Sequence, residues 1–150
     1  MSRVRSKDTA PELVVRRLLH SRGYRYRLHR IDVAGRPDLV LPKYRVAIFV
    51  NGCFWHGHSC ALFRIPATRT EFWLAKIAAN RTRDSLVRGR LREEGWRTLD
   101  IWECALRGPR RLDPDNFADQ LIAFIAGSQT SDELAERGPN GDCGMTEKGA

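Results

Sequence analysis

Residues 46–60 read VAIFVNGCFWHGHSC, and this stretch indicates both the fold class and the chemistry of the chain. Its first five residues form an uninterrupted apolar run, which is typical of a central strand buried on both faces. A loop rich in cysteine, histidine and glycine follows directly and extends to about Pro66. The stretch therefore predicts a central sheet whose next loop carries the reactive side chains.

The segments around this strand predict an α/β fold. Capping residues and apolar spacing predict helices over about 9–23, 70–94 and 113–125, and apolar patterns predict further strands over 24–28, 38–41 and 96–102. The order α-β-β-β-α-β-α predicts one central mixed sheet flanked by helices, within a single domain over residues 1–126. From Gly127 onward the sequence has no apolar period and much glycine, serine and proline, so we predict a disordered tail over 127–150.

The basic charge of the chain is concentrated outside this tail. Residues 1–111 carry 24 of the 26 basic and 10 of the 18 acidic side chains, a net charge of +14. Only four of the basic residues are lysine, and arginine suits bidentate contacts with phosphate and guanine. The bias favours a nucleic-acid partner, although a solubilising basic surface would explain the charge equally well.

The sequence also predicts the compartment. No apolar run approaches the roughly 20 residues that a membrane span requires, and the first residues lack the apolar core of a signal peptide. We therefore expect a cytoplasmic protein that contacts no membrane and keeps its thiols reduced.

The loop after the buried strand indicates a zinc site. Tetrahedral zinc takes four cysteine or histidine ligands, and the loop offers Cys53, Cys60 and one histidine, for which His58 is favoured. Cys104 follows the strand over 96–102 and is the candidate fourth ligand, because that strand could run beside the loop. The alternative is that Cys53 and Cys104 are ordinary buried thiols.

His56 is left over once four zinc ligands are assigned. An imidazole that titrates near neutral pH can act as a general base, whereas the simpler interpretation is a surface histidine in a loop.

A second metal site is indicated by Asp38, which follows a Gly-Arg-Pro turn at the start of a strand. A carboxylate there can hold Mg²⁺. Metal nucleases of the Pro-Asp…Glu-x-Lys type carry a second acid and a lysine on the next strand, but here that strand has neither. The Val50 backbone carbonyl, Glu12 and His56 could replace the missing groups. The simpler alternatives are that Asp38 forms a turn, Val50 belongs to the core and Glu12 caps a helix.

Three aromatic residues are candidates for contact with DNA. Phe54 and Trp55 are adjacent in the polar loop, and Trp73 lies near the start of the predicted long helix. Exposed aromatic rings on a basic protein can stack on bases or insert between base steps. Packing in the core is an equally reasonable interpretation of all three.

Five segments, in this order, resemble the very short patch repair (Vsr) DNA mismatch endonucleases. They are RSKDTAPE (5–12), GRPD (35–38), VNGCFWH (50–56), ATRTEFW (67–73) and GWR…WEC (95–104). The resemblance covers about residues 1–112. It implies a restriction-endonuclease-like sheet with a structural zinc. It also implies Mg²⁺-dependent nicking on the 5′ side of the thymine in a T·G mismatch left by deamination of 5-methylcytosine, which starts very short patch repair.

The resemblance also implies roles for individual residues. Asp38 resembles the catalytic Mg²⁺ ligand, His56 the catalytic histidine, and Glu12 the acid that orients a metal-bound water. The implied zinc ligands are Cys53, His58, Cys60 and Cys104, and the implied wedge that enters the duplex is Phe54, Trp55 and Trp73. The implied partners are double-stranded DNA with a T·G mismatch, a cytosine-5 DNA methyltransferase and mismatch-repair proteins, for a nucleoid-associated monomer.

Two neighbouring residues depart from the best-known pattern of the family, which has threonine and histidine where this chain has Val50 and Asn51. A backbone carbonyl at Val50 can replace that of threonine. Asn51 cannot transfer a proton but can hydrogen-bond a metal-bound water. Two other functions stay open: a zinc-dependent DNA-binding module without catalysis, and a restriction-type nuclease that cuts both strands of matched DNA.

Overall fold

The computed structural model describes residues 9–30 and 32–138 of the chain. The helices are α1 (Ala10–Ser21), α2 (Thr70–Glu93), α3 (Glu103–Leu106) and α4 (Pro114–Ala126). The strands are β1 (Arg27–Leu28), β2 (Leu39–Leu41), β3 (Val46–Asn51), β4 (Arg97–Trp102) and β5 (Ser131–Leu134).

The five strands form one mixed sheet in the order β1-β2-β3-β4-β5. The pairs β1–β2 and β2–β3 are antiparallel, whereas β3–β4 and β4–β5 are parallel. In the central strand β3, Ile48 pairs with Leu39 of β2 on one side and with Leu99 of β4 on the other. The predicted central mixed sheet and its buried strand at 46–50 are therefore confirmed.

Helices cover both faces of this sheet. Because successive side chains of a strand point to opposite faces, neighbouring residues of β3 pack against different helices. Ile48 packs in one cluster with Val15 of α1 and Leu121 of α4. Phe49 packs in a second cluster with Leu91 of α2. Complete burial of side chains such as Leu121 stabilises the fold by roughly 1.5–3 kcal/mol each. The two clusters hold α1 and α2, which both carry candidate site residues, on opposite faces of β3.

The helix boundaries predicted from capping residues are confirmed. The Thr9 hydroxyl accepts a hydrogen bond from the Glu12 N–H at 3.3 Å, and the Asp113 carboxylate accepts two from the first turn of α4. Gly23 (φ +83°) and Gly95 (φ +91°) follow the ends of α1 and α2 in the left-handed region that favours glycine. The Thr9 cap fixes Glu12 in the first turn of α1.

The prediction of a disordered tail from Gly127 is wrong for residues 127–138. Ser131–Leu134 forms β5, which pairs with β4, and Leu134 is buried against the sheet. This strand is short and mostly polar and is held mainly by backbone pairing, so side-chain periodicity does not reveal it. The sheet therefore extends past the predicted boundary at residue 126, while residues 139–150 lie outside the described part of the chain.

Two smaller differences concern the edges of the sheet. β1 is only Arg27–Leu28, shorter than the predicted strand over 24–28. β4 is not the last strand, so Cys104, which follows it in α3, lies beside β5 as well as beside the loop after β3. Within residues 9–30 and 32–138, no helix is long and apolar enough to cross a membrane.

Candidate active site and metal centre

Asp38 and Val50 are brought together by the antiparallel pairing of β2 and β3. Asp38 immediately precedes β2, and the β2–β3 register, continued by one residue, places it opposite Phe49 and next to Val50 near the end of β3. The Val50 N–H donates a hydrogen bond of 2.7 Å to Asp38 Oδ2. This contact fixes the Asp38 carboxylate against the backbone of the residue predicted to offer its carbonyl to Mg²⁺.

Glu12 and His29 complete a cluster around this carboxylate. The Glu12 residue is 1% exposed, and its Oε2 lies 2.9 Å from His29 Nε2 and 3.6 Å from the Arg16 guanidinium. The ligand atoms of Glu12, His29 and Asp38 all lie within 4.8 Å of one another. We call these three residues the carboxylate cluster.

His29 is a site residue that sequence analysis missed. It lies one residue past the strand predicted over 24–28, where nothing in the sequence pattern indicated a role for it. In the structure its backbone is left-handed (φ +46°), and its N–H donates to the Asp38 carbonyl at 3.2 Å. A left-handed histidine is uncommon and has no signal in residue periodicity.

Burial and charge make the carboxylate cluster suitable for a cation. The pKa of Asp38 is raised to about 6, chiefly by burial and also by the negative charge of Glu12, against the opposing effect of the Val50 N–H. A divalent cation beside both carboxylates would stabilise their ionised forms. The donor set of oxygens and one imidazole therefore fits a hard or borderline divalent ion.

The carboxylate cluster opens into a cleft of about 540 Å³, which we call the catalytic cleft. The structure brings the predicted Glu12, Asp38, Val50 and His56 together in this cleft, with Trp55 on its wall. Their roles in catalysis stay predictions, but their convergence from three separate elements is a property of the fold.

His56 is held by a second residue that sequence analysis missed. His56 Nδ1 lies 2.5 Å from Asp84 Oδ2 on α2. Because a carboxylate accepts hydrogen bonds, this contact places a proton on Nδ1 and leaves Nε2 for proton exchange. Asp84 lies 28 residues away on a polar helix face, so nothing in the sequence pattern linked it to His56.

The loop that carries His56 lies against α2. The Asn80 side-chain amide donates to the Trp55 carbonyl at 2.7 Å. Gly57 (φ +63°) approaches Ile77 so closely that an added Cβ would lie 2.5 Å from its Cγ2 atom. Glycine is therefore required at this position for the loop to pack on the helix.

Asn51 does not direct its amide nitrogen to the carboxylate cluster. Asn51 is buried, and its Nδ2 donates to Asp100 Oδ1 at 2.9 Å. Asp100 also pairs with the Arg88 guanidinium, which lies over the Phe49 ring at 3.5 Å. The bond to Asp100 uses one of the two Nδ2 hydrogens, which leaves Oδ1 and the other hydrogen for the water-binding role predicted from the sequence.

The four residues predicted to hold zinc converge. The ligand atoms of Cys53, His58, Cys60 and Cys104 lie within 4.8 Å of one another. His58 Nδ1 is 3.7 Å from Cys53 Sγ and 3.5 Å from Cys104 Sγ. Ordinary buried thiols have no reason to surround an imidazole nitrogen, so this Cys/His cluster fits a tetrahedral soft-ligand ion.

The thiols of the Cys/His cluster shift one another's pKa values. Hydrogen bonding from Cys104 holds the pKa of Cys53 well below its usual range, and the same bond raises the pKa of Cys104. Burial raises the pKa of Cys60. One thiolate is thus favoured among three thiols, and a bound cation would favour the thiolate form of all of them.

Neighbouring groups fix the orientation of the Cys/His cluster. The His58 ring stacks on Trp102 with centroids 4.1 Å apart. The backbone N–H of Glu136 donates to Cys104 Sγ at 3.4 Å, and the Glu136 carboxylate accepts from the Ala61 N–H at 3.2 Å. The segment after β5, predicted to be disordered, therefore closes this site.

The three predicted wedge residues form one cluster beside the catalytic cleft. The Phe54 ring centroid lies 5.0 Å from Trp55 and 5.4 Å from Trp73, and Trp55 and Trp73 are 5.8 Å apart. All three side chains are half-buried. Phe72, 45% exposed, contacts Trp73 at the outer side. We call these four residues the aromatic cluster; Phe72 was not predicted.

Known proteins resemble this chain along most of its length. The family model for DNA mismatch endonuclease Vsr matches residues 1–62. The DNA mismatch endonuclease Vsr of Escherichia coli (strain K12) is 44% identical over 138 residues, which cover 92% of this chain and 88% of that protein. The type II nicking enzyme V.XorIIP of Xanthomonas oryzae pv. oryzae is 53% identical over 106 residues, which cover 71% of this chain and 78% of that protein.

A solved structure is also similar. The homing endonuclease I-Bth0305I catalytic domain is 23% identical, with a TM-score of 0.49, over 78% of this chain and 94% of that one.

Proposed function

The chain belongs to the Vsr family of DNA mismatch endonucleases and is a nuclease, and we propose that it nicks duplex DNA on the 5′ side of the thymine in a T·G mismatch. Such a mismatch arises when 5-methylcytosine is deaminated, and the nick starts very short patch repair. The single observation that supports this proposal best is the convergence of Asp38, Glu12 and His56 in one cleft beside the aromatic cluster.

Asp38 and the Val50 carbonyl are the proposed holders of Mg²⁺. This ion, when bound, stabilises negative charge on the scissile phosphate. The Val50 N–H orients the Asp38 carboxylate, and Glu12 supplies a second, buried carboxylate that orients the attacking water. The mixed sheet that places them is proposed to be of the restriction-endonuclease-like type.

His56 is the proposed acid/base group, and Asp84 is its positioning residue. With Nδ1 bound to Asp84, Nε2 of His56 can take a proton from water or give one to the leaving oxygen. The same carboxylate stabilises the imidazolium that forms after proton uptake. In this proposal His56 takes the place of the lysine found in nucleases of the Pro-Asp…Glu-x-Lys type, and it acts together with the Asp84 carboxylate of α2.

The aromatic cluster is the proposed wedge. Phe54, Trp55 and Trp73 present rings that can insert beside the mismatch, where weak pairing lowers the cost of opening the stack. The Arg69 guanidinium lies over the Phe72 ring at 4.3 Å, which places a cation at the edge of the cluster. Such a cation can contact the phosphate backbone while the rings contact the bases.

Zn²⁺ is the proposed occupant of the Cys/His cluster. Cys53 directly precedes Phe54, and His58 lies two residues after His56, so an ion held there fixes the segment that carries both the wedge and the acid/base group. Its proposed contribution is to stability and orientation rather than to chemistry.

The wider context is proposed from the family alone. It comprises action as a nucleoid-associated monomer, with a functional link to a cytosine-5 DNA methyltransferase and to mismatch-repair proteins. The flanking sequence of the mismatch should then match the target of that methyltransferase.

The decisive test is a nicking assay on labelled duplexes with one T·G mismatch in several flanking contexts, with Mg²⁺ or EDTA. We expect one nick 5′ of the thymine, absent with EDTA, on matched T·A duplex and in Asp38→Ala. Tight binding without cleavage in any context would favour the non-catalytic DNA-binding module. Cleavage of both strands of matched DNA would favour the restriction-type nuclease.

A further inference from the structure

The carboxylate cluster contains a residue that the proposed function does not use. His29 Nε2 lies 2.9 Å from Glu12 Oε2, and one ligand atom from each of these residues lies within 4.8 Å of an Asp38 oxygen. A separation of 2.9 Å is that of a hydrogen bond. It is also close to the distance between neighbouring ligands around an octahedral ion with bonds of about 2.1 Å.

The backbone holds His29 in this position. The His29 N–H donates to the carbonyl of Asp38, so the two residues are joined next to the cleft. The left-handed conformation of His29 is unfavourable for a residue with a Cβ, and the surrounding structure must maintain it. The imidazole is therefore placed beside both carboxylates by the fold rather than by its own flexibility.

The charge of the cluster favours a cation among these three groups. Glu12 is buried, Asp38 is partly buried, and the His29 side chain is 25% exposed. Arg16 approaches Glu12 at 3.6 Å but lies on the next turn of α1. The remaining side of the two carboxylates opens into the catalytic cleft.

We propose that His29 is a nitrogen ligand of the catalytic metal site, which then consists of Glu12, His29 and Asp38 with the Val50 carbonyl. This inference rests on the proposed function, because it uses the same Asp38 site. Carboxylates alone suit Mg²⁺ and Mn²⁺ alike, whereas imidazole favours the later divalent ions. The site therefore binds Mn²⁺ and Co²⁺ more tightly than Mg²⁺. In this arrangement one Glu12 oxygen, the one beside His29 Nε2, ligates the ion, and the other oxygen is left to orient a water.

The test is metal binding by the full chain with its Cys/His cluster already filled with zinc. Mn²⁺ is titrated and the free ion is measured by electron paramagnetic resonance. His29→Asn is the variant, because asparagine tolerates left-handed backbone yet offers no imidazole. His20→Asn is the matched control, since His20 is exposed at the other end of α1.

We expect one Mn²⁺ to bind wild type and His20→Asn equally, and His29→Asn at least about tenfold more weakly. Pulsed spectra of bound Mn²⁺ should show coupling to an imidazole nitrogen in wild type and His20→Asn, and this coupling should be lost in His29→Asn. Thermal unfolding of each variant checks that the fold is retained. If His29→Asn does not fold, His29→Gln is measured in the same way, because His56 in the same cleft also carries an imidazole.

Absence of nitrogen coupling in wild type would overturn the proposal and leave His29 as a hydrogen-bond partner of Glu12. Unchanged Mn²⁺ affinity in a folded His29→Asn variant would do the same. Nicking without nitrogen coupling would contradict only this inference, whereas nitrogen coupling without nicking in any context would contradict only the proposed function.

Discussion

The two ligand clusters of this chain differ in how their residues are distributed along the sequence. The Cys/His cluster takes three of its four residues from one loop, within positions 53–60. The carboxylate cluster takes its three residues from the start of α1, the end of β1 and the start of β2. A local cluster can be recognised from spacing, whereas a dispersed one exists only after the sheet has formed.

The clusters also differ in what they contribute to stability. Soft ligands around a bound ion stabilise the folded state directly, because the ion binds the unfolded chain poorly. The two carboxylates are unfavourable without an ion, because burial, and to a smaller extent the charge of Glu12, raises the pKa of Asp38. We therefore expect substitutions in the Cys/His cluster to reduce stability and those in the carboxylate cluster to reduce catalysis.

The largest expected effect is on catalysis, and it should appear without a loss of stability. Asp38→Asn should lower the nicking rate by roughly 10³-fold, because the metal site loses its charge while the hydrogen bond from Val50 can persist. The free energy of unfolding of the metal-free protein should stay level or rise, since the cost of burying the Asp38 charge and its repulsion with Glu12 are both removed. Single-turnover nicking and urea unfolding measure the two quantities. A variant that unfolds as readily as a cysteine variant would contradict the contrast between the clusters.

Asp84→Asn tests the carboxylate that holds His56. This histidine lies in the loop that carries the Cys/His cluster and also lines the catalytic cleft, which contains the two carboxylates. The nicking rate should fall by about 10²-fold, since the amide cannot stabilise an imidazolium at His56. Zinc content and KM for the duplex should stay at the wild-type level. A pH profile of kcat distinguishes the two roles: a positioning role moves the limb assigned to His56, whereas a purely structural role lowers the whole curve.

Cys60→Ala probes the Cys/His cluster at its least buried cysteine. Zinc affinity should fall and the nicking rate should drop at least about tenfold, because the loop that carries His56 and the aromatic cluster loses its anchor. Zinc stoichiometry, unfolding temperature and nicking are measured on the same sample. Ser59→Ala, one position earlier and outside the cluster, is the control. Full zinc content with full nicking in Cys60→Ala would refute the proposed structural role.

Much of the fold could be predicted because its signals are local. The apolar run at 46–50 predicted the central strand, and Thr9, Gly23 and Asp113 predicted helix boundaries through capping and left-handed geometry. Strand β5 could not be predicted, because its partner β4 lies some 30 residues away and its own side chains are mostly polar. Backbone pairing of that kind leaves no periodicity in the sequence.

The site residues, like the elements of the fold, fall into those with a local sequence signal and those without one. Cys53, His58 and Cys60 were found from their spacing in one loop, and the family resemblance supplied the roles of Asp38 and Glu12. His29 and Asp84 were missed, since each is an ordinary polar residue of its own element. The pairing of β1 with β2 brings His29 beside Asp38 and Glu12, and the packing of the loop on α2 brings Asp84 to His56.

The smallest expected effect concerns the segment after β5, which extends the Cys/His cluster beyond its local loop. Glu136→Ala removes the acceptor for the Ala61 N–H, and loss of one such hydrogen bond should speed zinc release to a chromogenic chelator by about fivefold. Glu136→Gln keeps a side-chain oxygen acceptor and should release zinc at nearly the wild-type rate. Nicking by zinc-saturated protein should be unchanged in both. Equal release from all three proteins would mean that the backbone bond to Cys104 alone closes the site, and that even this cluster depends on a contact between distant strands.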